Sequence, residues 1–83
     1  MSQNRIGTQE GAALARSVME VRIRLSHSPY WSLRQLACEV EQGRVVVRGT
    51  VPSYYLKQIA QTVASQAVDK ERLVSEITVC EGV

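Results

Sequence analysis

Residues 41–53 read Glu41-Gln42-Gly43-Arg44-Val45-Val46-Val47-Arg48-Gly49-Thr50-Val51-Pro52-Ser53. Gln42-Gly43 is a turn signal, because glycine reaches positive φ without a Cβ penalty. Arg44 to Val51 reads as a strand with Val45, Val47 and Val51 turned inward. Gly49 within it marks either a bulge or a close approach of another segment. Pro52 ends the strand, and Ser53 is placed to cap a helix, its hydroxyl oxygen accepting from a free amide of the first turn.

Working upstream, Leu36 to Glu41 alternates Leu36, Cys38 and Val40 with Ala37, Glu39 and Glu41. That period predicts a first strand forming a hairpin with the second. Downstream, a helix is expected from Tyr54 to Val68, with Leu56, Ile59, Ala60, Val63 and Ala67 sharing one face. A charged connector, Asp69 to Arg72, leads into a third strand, Leu73 to Val79. Near the start, Leu14, Val18, Val21 and Leu25 step by four, three and four, which predicts a helix over 9–27. Pro29 disfavours helical geometry in the residue before it, so this helix should stop near Ser28. Tyr30-Trp31-Ser32 is expected to be a connector, 1–8 a loose tail, and 9–80 the folded domain.

The order is α-β-β-α-β, an α+β fold in one domain. The apolar faces are buried together most simply with two helices packed on one face of a three-stranded mixed sheet. A β-α-β crossover makes the second and third strands parallel, and the hairpin makes the first antiparallel to the second. The expected core is Leu14, Val18, Val21, Leu25, Leu36, Val45, Val47, Leu56, Ile59, Val63 and Ile77.

At 83 residues there is room for one domain and none for a cleft between lobes. A hydrophobic fraction of 45% with 22% charged residues places the chain among globular proteins rather than disordered ones. The net charge of +2 is too small to imply nucleic-acid binding by itself. Eight of the ten cations are arginine, the residue that forks onto phosphate and carboxylate. No stretch approaches the roughly 20 apolar residues of a membrane-spanning helix. Met1 to Glu10 contains no apolar secretory core. A cytoplasmic protein is expected if Met1 is the true start, and a periplasmic one if an export signal precedes this sequence.

The titratable groups argue against catalysis. His27 is the only histidine and falls at a helix end, where it complements the terminal carbonyls. No nucleophile-base grouping is evident, so no enzyme is expected. One histidine and two distant cysteines do not make a tetrahedral metal site, and no cofactor is expected. Cys38 reads as a small buried hydrophobe, the alternative being that Cys38 and Cys80 meet across the sheet. A GxxG loop of the KH type and strand aromatics of the RRM type are both missing, and no nucleic acid is expected as a partner. Arg44 and Arg48 are expected on the open sheet face, paired with Glu39 and Glu41 across the hairpin.

The central run resembles the BON (bacterial osmotic-stress and nodulation) domain family. That family shows a turn glycine, alternating aliphatic residues, a second glycine and an aliphatic before the helix. Gly43, Val45, Val47, Gly49 and Val51 occupy those places. Ile59, Ala60 and Val63 match its aliphatic-Ala-x-x-aliphatic pattern, and Leu73 to Val79 is similar to its last strand. The likeness spans Ala13 to Val79. It departs from the family at Asp69-Lys70-Glu71-Arg72, where Gly-Val is usual, and in having a single copy of the domain. The resemblance implies a non-enzymatic module that binds phospholipid membrane surfaces or envelope components, and it transfers no individual contact residue.

The candidate binding surface comes from the residues themselves. Met19 and Ile23 fall at about 140° and 180° from the Leu14 stripe, where a helix lying on a sheet normally carries charge. Arg16 and Arg22 flank that strip, and Tyr30 and Trp31 follow the same helix. Arg16, Met19, Arg22, Ile23, Tyr30 and Trp31 are therefore the candidate surface, for anionic phospholipid, an envelope protein or a second copy of the chain. The alternative is a cytoplasmic protein-interaction or self-association module using the first helix. For the aromatic residues, packing roles weigh more on sequence grounds: Trp31 plugging one end of the core and Tyr55 covering Ile59. Gly43 and Gly49 are expected to be structural.

Overall fold

A computed structural model describes the backbone of residues 2–81 and the side chains of residues 11–81. The elements are α1 (Ser2–Ser26), α2 (Trp31–Arg34), β1 (Ala37–Glu41), β2 (Arg44–Val51), α3 (Tyr54–Ser65), a 3-10 turn (Lys70–Arg72) and β3 (Leu73–Val79). The sheet order is β1-β2-β3. β1 runs antiparallel to β2, with Cys38 opposite Val47, and β2 runs parallel to β3, with Val47 opposite Ser75. The α+β fold with α1 and α3 on one face of a mixed sheet is as the sequence predicts.

The central hairpin follows the chemistry of its turn. Gln42 and Gly43 both have positive φ, 52° and 75°, as a two-residue turn matched to strand twist requires. Gly49, at φ 147°, is a close approach rather than a bulge, because pairing with β3 runs unbroken from Val45 to Val51. A Cβ at Gly49 would lie 2.5 Å from Leu36 Cδ2. Ser53 caps α3 as expected, its hydroxyl accepting from the Leu56 amide at 3.2 Å.

One cluster forms the core. Leu14, Val18, Val21 and Leu25 of α1 meet Cys38, Val45, Val47, Val51 and Ile77 of the sheet and Ala60 and Ala64 of α3. The α3 stripe is rotated from the expected one by about 60° at 100° per residue. Ala60 and Ala64 are fully buried, while Leu56, Ile59 and Val63 are only partly so. The two alanines let α3 approach its neighbours closely, and the larger residues flank that contact. Val40, expected on the apolar face with Cys38, is exposed, although Cys38 two residues before it on the same strand is buried.

Three boundaries differ from the sequence reading. The helix expected from Gln9 begins at Ser2, so the described part of the tail at 1–8 is helical, and Met1 lies outside the described residues. Once the buried stripe nucleates a helix, each further turn needs only propagation. The connector after Pro29 is the short helix α2, nucleated where the Leu33 and Arg34 amides donate to the Tyr30 carbonyl. Finally, α3 ends at Ser65, yet Val68 beyond it is buried.

These contacts rank the two glycines. Gly43→Ala meets nothing within 4 Å and should cost about 1 kcal/mol of backbone strain. Gly49→Ala adds a collision with Leu36 and should cost more. Urea denaturation of Gly49→Ala, Leu36→Ala and the double variant measures this. The double variant should be more stable than the sum of the single effects allows, and simple additivity would dissociate Leu36 from the constraint.

Candidate functional site

The end of the molecule where β2 passes into α3 gathers the chain's aromatic residues. Ser28 Oγ accepts from the Tyr30 amide at 3.1 Å, and Arg34 Nη1 donates to the Ser28 carbonyl at 3.2 Å, so the segment after Pro29 is closed into a compact turn. Leu33 of α2 is fully buried. Two residues along a helix is about 200° of rotation, so burying Leu33 turns Trp31 outward. Trp31 keeps 66% of its surface exposed; Leu33, not Trp31, closes this end of the core.

The start of α3 completes the group. With Ala60 and Ala64 inward, Tyr54 and Tyr55 point outward and are 60% and 65% exposed. Tyr55 therefore leaves Ile59 only partly covered, and the two sit together with Val63 along an open apolar groove. Tyr30 meets Tyr55 edge to face, with ring centroids 6.4 Å apart and planes at 87°. Lys57 Nζ lies 6.0 Å from the Tyr54 ring centroid. Trp31 and the three tyrosines are all the aromatic residues of the chain, and none is buried. The core-plugging role expected for Trp31 is thus overturned: aliphatic residues fill the core and the aromatic group faces outward, while Tyr55 does lie beside the half-buried Ile59.

The residues singled out on α1 part company. Met19 and Ile23 are exposed, at 59% and 51%, and Arg16 is exposed beside them. Arg22 is engaged elsewhere. Its Nε and Nη2 donate to the Cys38 carbonyl at 3.0 and 2.7 Å, which fastens α1 to the edge of β1. Arg24 is likewise occupied, bonded to Glu20 and, across to the end of α3, to Gln66. Cys38 is buried and Cys80 exposed. They belong to opposite edges of the sheet with β2 between them, so they do not meet. Burial pushes the Cys38 thiol up, against the opposing charge of Arg22.

The open sheet face is organised by one arginine. Arg48 bonds Glu76 at 2.7 Å, Glu41 at 2.6 and 2.7 Å, and Glu39 at 3.2 Å, joining all three strands. To reach Glu41 its side chain runs along the face past Val46, which is buried although it points away from the helices. Arg44 takes no part in these bonds. The cluster sets one arginine against three carboxylates, so this face offers no basic surface. Among the described residues, no three His, Cys, Asp or Glu side chains come together in a way that would hold a metal, and no helix is long and apolar enough to cross a membrane.

No family model, curated protein or solved structure matches the chain.

Tyr30 and Trp31 were legible as candidates in the sequence. Tyr54 and Tyr55 were noted at an element junction, but joining the two pairs required the contact between α2 and α3. Lys57 and Arg34 carried no signal of their own.

The Arg48 cluster generates a pH prediction. Hydrogen bonding to Arg48 holds the Glu41 carboxyl below its ordinary range. A depressed folded-state pKa stabilises the fold above the unfolded value, near 4.3, and this contribution is lost as pH falls through the folded value. Arg48→Gln should therefore be less stable than the parent at neutral pH, with the gap narrowing as acid protonates the carboxylates. Denaturation curves across that range report it, and a gap that ignores pH would remove Glu41 from the account.

Proposed function

We propose that the chain is a non-enzymatic binding module that sits on an anionic phospholipid surface through its aromatic end. The observation that carries this reading is the placement of Tyr30, Trp31, Tyr54 and Tyr55. A small domain that needs every apolar group for its core leaves its four largest rings outside it, grouped at one end. Tryptophan and tyrosine favour the interface between water and hydrocarbon, where the ring is buried and the polar atom stays wet. Lys57 lies beside the Tyr54 ring and Arg34 follows one turn after Trp31 on α2, and both would add attraction to anionic headgroups. The resemblance of residues 41–53 to BON domains points the same way.

A second reading draws on Met19 and Ile23: α1 as the contact face of a protein-interaction module. Met19→Asp with Ile23→Asp separates the two readings. That double variant should stay folded and keep its affinity for vesicles if the aromatic end is the membrane surface.

The direct test uses Trp31 as its own reporter. On mixing with phosphatidylcholine vesicles containing phosphatidylglycerol, its emission should shift to the blue and the protein should sediment with the lipid. Both effects should weaken with salt and with pure phosphatidylcholine. Trp31→Ala or Tyr54→Ser with Tyr55→Ser should lower the partition coefficient by on the order of tenfold while leaving thermal unfolding unchanged. A folded protein that stays in the supernatant with unshifted emission at high lipid would refute the proposal.

A further inference from the structure

The two edges of the sheet are guarded unequally. β1 is short, carries Glu39 and Glu41, and has its Cys38 carbonyl taken by Arg22. β3 is longer, carries a single carboxylate and, among the described residues, has no side chain bonded to its outer backbone groups. The Cys80 amide donates to the Val51 carbonyl at 2.9 Å, which sets the phase of the strand. Val74, Glu76 and Thr78 direct their backbone groups toward β2, while Ser75, Ile77 and Val79 direct theirs outward. Among the described residues no bond is made to those outward groups. The strand Leu73-Val74-Ser75-Glu76-Ile77-Thr78-Val79 has no proline, no lysine and no bulge, the usual means of blunting an edge. Its one charge, Glu76, is already bound to Arg48.

Beside this edge runs a cleft formed with α3. Gln58, Gln61, Thr62 and Ser65 line it together with Leu73 and Ser75, and Lys70 is its one charged residue. Gln61 Nε2 donates to Ser75 Oγ at 2.9 Å across it. A strand added alongside β3 would place its helix-side residues in this cleft without confronting a row of charges.

We propose that β3 is a strand-addition edge and that its occupant is β3 of a second copy of this chain, joining two sheets into one of six strands. The strand is self-complementary in a two-fold antiparallel register centred on Ser75. Ser75 then faces its own copy in a hydrogen-bonded pair, Leu73 faces Ile77, and Val74 faces Glu76. Centring the pairing on Glu76 instead would set two carboxylates directly opposite, which is disfavoured. The uncharged flank of α3 meets its symmetry mate over the junction, as an isologous interface requires.

Sedimentation equilibrium of the full chain under reductant, so that the exposed Cys80 cannot link chains, should show the mass doubling as concentration rises. Over the same range, amide exchange at Ser75 and Ile77 should slow, while Glu76 and Thr78 are protected throughout. Ser75→Pro deletes an outward N–H that no bond within the chain uses, and it should give a folded protein that stays monomeric. Ser75→Ala keeps the N–H and should still dimerise. If Ser75→Pro fails to fold, the exchange measurement on the parent decides alone. A mass of one chain at every concentration overturns the proposal. So does a dimer in which the Ser75 and Ile77 amides exchange as freely as in dilute solution, which would place the contact elsewhere, as on Met19 and Ile23.

Discussion

Strand β2 is bonded on both sides, to β1 through one set of alternating backbone groups and to β3 through the other. Its side chains alternate in the same way. Val45, Val47 and Val51 form the floor of the core, while Val46 and Arg48 lie on the open face. No other element can shift without disturbing this strand. A slip of one residue would turn the three core valines to the outside. The left-handed Gln42-Gly43 turn at one end and the Ser53 cap at the other pin that register, and Gly49 lets Leu36, just ahead of β1, close against β2.

The open face would be a weakness if it were apolar, and Arg48 prevents that. Its planar fork reaches carboxylates on both neighbouring strands, so a single side chain ties the three strands and shields Val46. The ion pairs are exposed, so each is worth little singly. Their combined effect is to specify which strands lie together, and three carboxylates around one arginine leave the face mildly acidic. Such a face does not suit an anionic surface, and the available surfaces lie at the margins: the aromatic end, the strip on α1 and the open edge of β3.

The aromatic end owes its form to economy in the core. Valine, leucine and alanine fill the space between α1, α3 and the sheet, and Leu33 seals the end where α2 crosses. A ring the size of Trp31 has no place there. Its exposure follows from the 200° between positions 31 and 33 once Leu33 is inside. The same logic turns Tyr54 and Tyr55 out when Ala60 and Ala64 are in. The group is therefore coupled to the packing, and substitutions in it should leave the fold intact.

Local pattern determined a good deal by itself. The alternation of Val45, Val47 and Val51, the Gln42-Gly43 turn, the Ser53 cap and the Leu14-Val18-Val21-Leu25 stripe were all legible, because each is set by residues close in the chain and by the geometry of a single element. The αββαβ order and the mixed sheet followed from those. Tertiary structure decided what depends on contacts between elements. The rotation of α3 onto Ala60 and Ala64 depends on how closely the helix can approach its neighbours. The diversion of Arg22 to the Cys38 carbonyl depends on where the edge of β1 falls, and the helix α2 forms only because the core has a socket for Leu33. Whether Trp31 fills the core or faces solvent is a competition between two side chains for one space. Spacing along the chain carries no term for that competition, and only the packed structure resolves it.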